Sequence, residues 1–237
     1  MSEQLGKIEK LEAERFRRGK KLYLVPLVYC PQEPLEEYKE KYSRYWQQVA
    51  EQLNNLASKI GEVNRVYHES ISQGGEDGMK ATENLNQSSH QIAKSQCEKG
   101  AVFEAIEEKE LLEEVMDWQR CLMLGFISEK VERQVLESYL EAGKKRNEAI
   151  AHRISETLKD DEAGLLFIRE GHLVQFPADI EVFSIFPPVL DEIHRWHRDQ
   201  ARLAVEKPVE GARGKTEEEA EKVQKKPRKK AKRKPKE

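Results

Sequence analysis

The sequence predicts an α/β domain: a largely parallel or mixed sheet flanked by long helices, with a disordered basic C-terminal tail. Three observations predict it. Short apolar runs of strand formers, at 22–29, 165–169 and 180–186, alternate with long stretches whose apolar residues recur at steps of three and four. The runs look buried on both faces, as strands inside a parallel sheet are. After about Val205 apolar periodicity stops and Lys, Arg, Glu and Pro dominate. The expected organisation is a charged N-terminal helix over 1–20, an α/β domain over 21–205 and a lysine-rich tail over 206–237.

Taken in order, residues 3–19 alternate acids and bases around Leu5, Ile8, Leu11 and Phe16, which suits a short, loosely docked helix. Leu22 to Tyr29 is a compact strand-forming run. Pro26 removes a ladder donor there, so it belongs at a bulge or near the strand end. Pro31 to Pro34 make a turn. Leu35, Tyr38, Tyr42, Trp46, Val49, Leu53, Leu56 and Ile60 then mark a strong helix closed by Gly61. A second strand is expected from Val63 to Ile71, ended by Gly74 and Gly75.

Residues 76–96 are polar, with Met79, Leu85 and Ile92 as sparse anchors of one weak helix. Residues 101–106 read either as a short strand or as the start of a helix. Leu111, Val115, Trp118 and Leu122 mark a helix that Gly125 stops. Ser128 then caps a long helix to about Lys159, with Val131, Val135, Tyr139, Ala142, Ile150, Ile154 and Leu158 on one face. Leu165 to Arg169 is a strand; His172 to Phe176 either pairs with it or forms a loop. Ile180 to Phe186 is a strand broken by Pro187-Pro188. Val189, Leu190, Ile193, Trp196 and Leu203 give the final helix.

Charge divides the chain. Residues 207–237 hold 13 basic and 6 acidic residues, a net of +7; against the whole-chain net of -3 this leaves -10 on residues 1–206. Cys30, Cys97 and Cys121 lie far apart with no C-x-x-C pair, which argues against a disulfide framework or a zinc ribbon and favours a reducing cytoplasm. Met1 to Lys20 has no apolar core of a secretory signal, and no run approaches the length of a membrane span, so no membrane partner is expected. No nucleophile elbow, phosphate loop, dinucleotide-binding glycine pattern or H-E-x-x-H is present.

The candidate site residues are Glu69, Arg146 and His172. Arg146 shares a helix side with Tyr139, Ala142 and Ile150, so it points toward the sheet. A guanidinium cannot shed its charge, and burying it demands a carboxylate or carbonyl partner. Glu69 ends the second strand, where sites form in this architecture, and is the best candidate partner. His172 follows Gly171 at the end of another strand, placed to bind a metal or move a proton. A second spacing, Asp191-x-x-His194-x-x-His197, reads more simply as a polar helix face than as a metal set.

Strand and turn, strand ending in glutamate, long helix with Arg146-Asn147 and Ala151, strand ending in Gly171-His172: this order resembles the TraB/GumN/ChaN/Tiki hydrolase-like superfamily, over roughly residues 21–186. The resemblance implies metal-dependent hydrolysis through two GxxH motifs, with Glu69 and Arg146 as the family's acid and arginine. Pro26 and Tyr29 stand at the first motif's glycine and histidine; Arg169 stands at the second's glycine, and His172 keeps its histidine. Divalent metal is the cofactor this reading admits, with His172 and Glu69 as its ligands; the residues themselves call for no cofactor.

Lys222 to Lys236 hold ten basic residues and no acid. Lys225, Lys226, Arg228, Lys229, Lys230, Lys232, Arg233 and Lys234 form a polycation that contacts phosphates without sequence selectivity; lacking aromatics, it offers no base stacking. The leading expectation is therefore a cytoplasmic, non-catalytic or regulatory α/β protein, a pseudoenzyme in the superfamily's terms, whose tail associates with RNA, DNA or the ribosome. The alternative is a divergent TraB-like metal-dependent hydrolase or peptidase. An adaptor pairing through the aromatic Tyr38–Trp46 stretch is a third reading.

Overall fold

A computed structural model describes residues 18–206, with side chains as far as 203. The expected helix over 1–20 falls almost wholly outside the described residues, and so does the tail from 207 on, with all eight of its candidate phosphate contacts. The chain divides into two compact units, one up to Ile193 and one from His194 on. In the second, the described residues continue a helix to Glu206, with Trp196 meeting its neighbour His197 edge-on at 5.1 Å.

The first unit is an α/β fold. Five strands form one sheet: β1 (Lys20–Pro26), β2 (Val63–His68), β3 (Val102–Glu104), β4 (Ala163–Ile168) and β5 (Ile180–Ser184). Their order is β3-β2-β4-β1-β5, and every neighbouring pair is parallel. The helices are α1 (Glu36–Ile60), α2 (Gly75–Leu85), α3 (Gln87–Glu98), α4 (Lys109–Met123), α5 (Glu129–Thr157) and α6 (Val189–Glu206). Chain direction reverses across the sheet: β1 to β2 to β3 steps one way, β3 to β4 to β5 the other. Right-handed crossovers then put α1 to α3 on one face and α4 and α5 on the other. All strands point their carboxyl ends to one edge, with β2 and β4 near the middle.

Strand alternation divides the core. Leu22, Leu24, Tyr67, Leu166 and Ile168 pack with Ile150, Ala151 and Ile154 of α5 and with Leu158 just after it. On the opposite face Phe167 meets Trp46 of α1 at 6.2 Å between ring centres. Gly164 is required by this packing: a Cβ there would lie 2.8 Å from the Tyr67 ring.

Several elements differ from expectation. β1 ends at Pro26, the position that spares the missing donor, and Leu27 to Tyr29 continue as a held segment rather than a strand. Tyr45 Oη donates to the Pro26 carbonyl, Tyr38 Oη to that of Tyr29 (2.6 Å) and Asn86 Nδ2 to that of Val28 (2.8 Å). The aromatic stretch of α1 is thus core rather than an adaptor surface: Tyr38, Tyr45 and Trp46 are buried. The expected weak helix over 76–96 is two helices, α2 and α3, broken at Asn86. That side chain accepts from the Ser89 amide and caps α3. Ser128 precedes α5 as expected but makes no side-chain cap bond. Residues 101–106 contribute the short β3, and 172–176 form a loop.

Candidate functional site

Alternation at the end of β2 sends consecutive residues to opposite faces. Tyr67 points to α5, its hydroxyl 2.9 Å from Thr157 Oγ1. His68 points to α3, and Glu69 points back to α5. The site is therefore set by a period of two meeting the carboxyl edge of a parallel sheet.

Glu69 meets Arg146, as the sequence predicts: Arg146 Nη2 donates to Glu69 Oε1 at 3.1 Å. The stronger partner is a residue the sequence reading missed. Arg146 Nε donates to Glu107 Oε2 at 2.8 Å and Nη2 donates to Glu107 Oε1, a two-pronged contact. Glu107 follows β3 by three residues, so it too belongs to the carboxyl edge. In the sequence it opens a charged run, Glu107-Glu108-Lys109-Glu110, and looks solvated. The signal that finds it is its place just after Ile106 and the β3 strand end.

Glu107 does more. Its Oε1 accepts the Ser70 amide at 2.9 Å, and Ser70 has a φ of 67°, rare for a non-glycine residue. Glu69 Oε2 accepts the Arg169 amide at 2.6 Å, which ties the end of β2 to the end of β4. Arg169 Nε lies 3.4 Å from Glu69 Oε1. Arg146, Glu69 and Glu107 are all buried, so two carboxylates and two guanidiniums form a compact cluster of near-zero net charge. Burial alone disfavours the Arg146 charge, but hydrogen bonds and charge from Glu107, with Glu69 adding to them, outweigh it and raise its pKa.

His172 and Tyr29 sit in the field of this cluster without bonding to it. Burial lowers the His172 pKa, with Glu69 opposing and Arg169 adding to the shift. Its Nδ1 is buried with no hydrogen-bond partner among the described residues, and its ring lies 6.0 Å from Phe176. Burial raises the Tyr29 pKa, Glu69 raises it further and Arg169 opposes. The structure therefore gathers Glu69, Arg146 and His172 at one edge, with Tyr29 beside them.

On the other face His68 is wholly buried. The Glu69 carbonyl, 2.7 Å from Nδ1, can only accept, so Nδ1 carries the proton. Nε2 and the Asn86 carbonyl, each 3.0 Å from Ser89 Oγ, compete for its single proton. Burial pulls the His68 pKa down to about 4, while the hydrogen bond and the charge of Glu69 oppose.

A divalent metal does not fit the donors present. Glu69 and Glu107 spend their oxygens on Arg146, Arg169 and Ser70. No three His, Cys, Asp or Glu side chains among the described residues are placed to share an ion, so Glu69 and His172 have no third ligand of that kind. Among the described residues no helix is long and apolar enough to cross a membrane.

No family model matches the chain, and no curated protein or solved structure matches it either.

Proposed function

We propose that this chain is a non-catalytic, regulatory α/β protein of the cytoplasm, held near RNA, DNA or the ribosome by its basic tail. The observation that supports it is the saturation of the carboxyl-edge acids. Both carboxylates that would serve as base or ligand are bonded to Arg146, and together with Arg169 they form a neutral, structural cluster. The partner chemistry then falls to the tail. Lys225, Lys226, Arg228, Lys229, Lys230, Lys232, Arg233 and Lys234 supply a polycation, while residues 1–206 carry a net of -10 and repel phosphates. Affinity gained by counterion release falls steeply with salt.

The test is a salt titration of fluorescent RNA and DNA against the intact chain and against a full-length variant with these eight residues changed to Gln. Binding by the intact chain that weakens with salt and is lost in the variant supports the reading. Equal binding by both, or no binding by either at low salt, overturns it.

A second reading is a divergent TraB-like metal-dependent hydrolase. The Glu69–Arg146 contact favours it, because the resemblance pairs those residues. Against it stand Tyr29 in the place of a histidine and the saturated acids. Tyr29→His should raise affinity for Zn²⁺ or Mn²⁺ if that alignment is right; an unchanged affinity removes this reading.

A further inference from the structure

A groove of about 650 Å³ runs along α5 beside the loop after β4. Its size falls within the range that encloses small organic ligands. Val115, Leu140 and Leu173 give it apolar walls, and Arg169 and Asn147 are among its polar lining. Leu140 and Leu173 are well exposed, at 58% and 76%, so apolar surface faces open space there.

Arg169 links the groove to the cluster. Its amide and Nε serve Glu69, but its terminal nitrogens have no protein partner among the described residues, and its side chain is 46% exposed. The Glu69 contact orients the guanidinium at one nitrogen and leaves its two-nitrogen edge for another acceptor. Among the other ions of the wall, Lys144 lies 3.8 Å from Glu148 one turn on. Gly143 completes the wall. A Cβ there meets nothing within 4 Å, so the space beside it is open.

We propose that this groove binds a small organic acid with an apolar body, a medium-chain carboxylate, its head on Arg169 and its chain along Leu140 and Leu173. The two-nitrogen edge of a guanidinium matches a carboxylate, and the apolar walls match an alkyl chain rather than a sugar or nucleotide. The inference goes beyond the tail's role and stands or falls without it.

The experiment is calorimetric titration of sodium octanoate into the full chain, with 1-octanol as the uncharged comparison. The expected result is one saturable site that prefers octanoate. Arg169→Gln should weaken octanoate by at least about tenfold and erase the preference over octanol, and Gly143→Leu should weaken both ligands to a similar degree by filling the groove. Leu140→Asp, a change at an exposed position, reports on the same wall should Gly143→Leu lose its thermal transition. No saturable binding, equal affinity for octanoate and octanol, or full affinity in Arg169→Gln or in a folded wall variant overturns the proposal. The last of these would place the acid elsewhere, for instance on the basic tail.

Discussion

His68 and Glu69 are neighbours in the chain, both buried, and they solve burial in opposite ways. His68 faces α3, gives up its charge and lies with the Asn86 carbonyl beside the Ser89 hydroxyl. Glu69 faces α5, and its setting supplies arginines, amide donors and a second glutamate. One face of the sheet meets a polar group by neutralisation, the other by charge pairing. Burial therefore does not decide the outcome; what the opposing helix carries does. α3 offers hydroxyl and amide groups from its N-terminal turn, whereas α5 offers a guanidinium that cannot be neutralised.

Removing the charge partner on the α5 side should have the largest effect. Arg146→Met leaves Glu69 and Glu107 buried together without the guanidinium that bridges them, a loss of roughly 3–5 kcal/mol at neutral pH. The loss should shrink as pH falls, because the stranded carboxyl groups are then more easily protonated. Denaturant unfolding at pH 7 and pH 5 checks both statements. An equal loss at both values would mean that packing, not charge, dominates that face.

The α3 side should respond in the opposite sense. The unfolded chain protonates His68 near the ordinary value of 6.5, whereas the folded chain resists until about 4. Stability contributed by neutral His68 is complete above pH 6.5 and is lost as pH falls from there toward 4, by roughly 3 kcal/mol in all. His68→Asn keeps a donor for the Glu69 carbonyl but does not titrate. The difference in stability between the two proteins should therefore change across that window; a constant difference would contradict the assigned neutral state.

Smaller changes sharpen the contrast. Ser89→Ala removes the hydroxyl that His68 Nε2 and the Asn86 carbonyl share, a loss of about 1–3 kcal/mol in thermal or denaturant unfolding. Ser70→Gly relieves a left-handed backbone while keeping the amide that Glu107 accepts, a gain of up to about 1 kcal/mol. A loss there would mean that the Ser70 side chain contributes something beyond its conformation.

Much of this was legible in the sequence, and the parts that were not share a cause. Strands β1 and β4 announce themselves as short continuous apolar runs buried on both faces, and helices α1, α4 and α5 by apolar residues at steps of three and four. Arg146 was legible because an arginine among Tyr139, Ala142 and Ile150 breaks such a period. Glu69 was legible as the acid at a strand end. Glu107 was not, because its neighbours Glu108, Lys109 and Glu110 are solvated and only topology brings β3 beside β2. His68 escaped notice for the converse reason: one polar residue in a strand reads as the outward half of an alternation. The break at Asn86 was missed because 76–96 carries too few apolar residues to show a change of phase, although Asn86-Gln87-Ser88-Ser89 holds a capping residue.

The central claim is that the carboxyl-edge acids are committed to arginine and are not available to a metal. Metal content after equilibration of the full chain with Zn²⁺ or Mn²⁺ and removal of the excess tests this directly, measured with and without His172→Ala. The account predicts no stoichiometric metal in either protein. One ion per chain, retained by the native sequence and lost on His172→Ala, would contradict it.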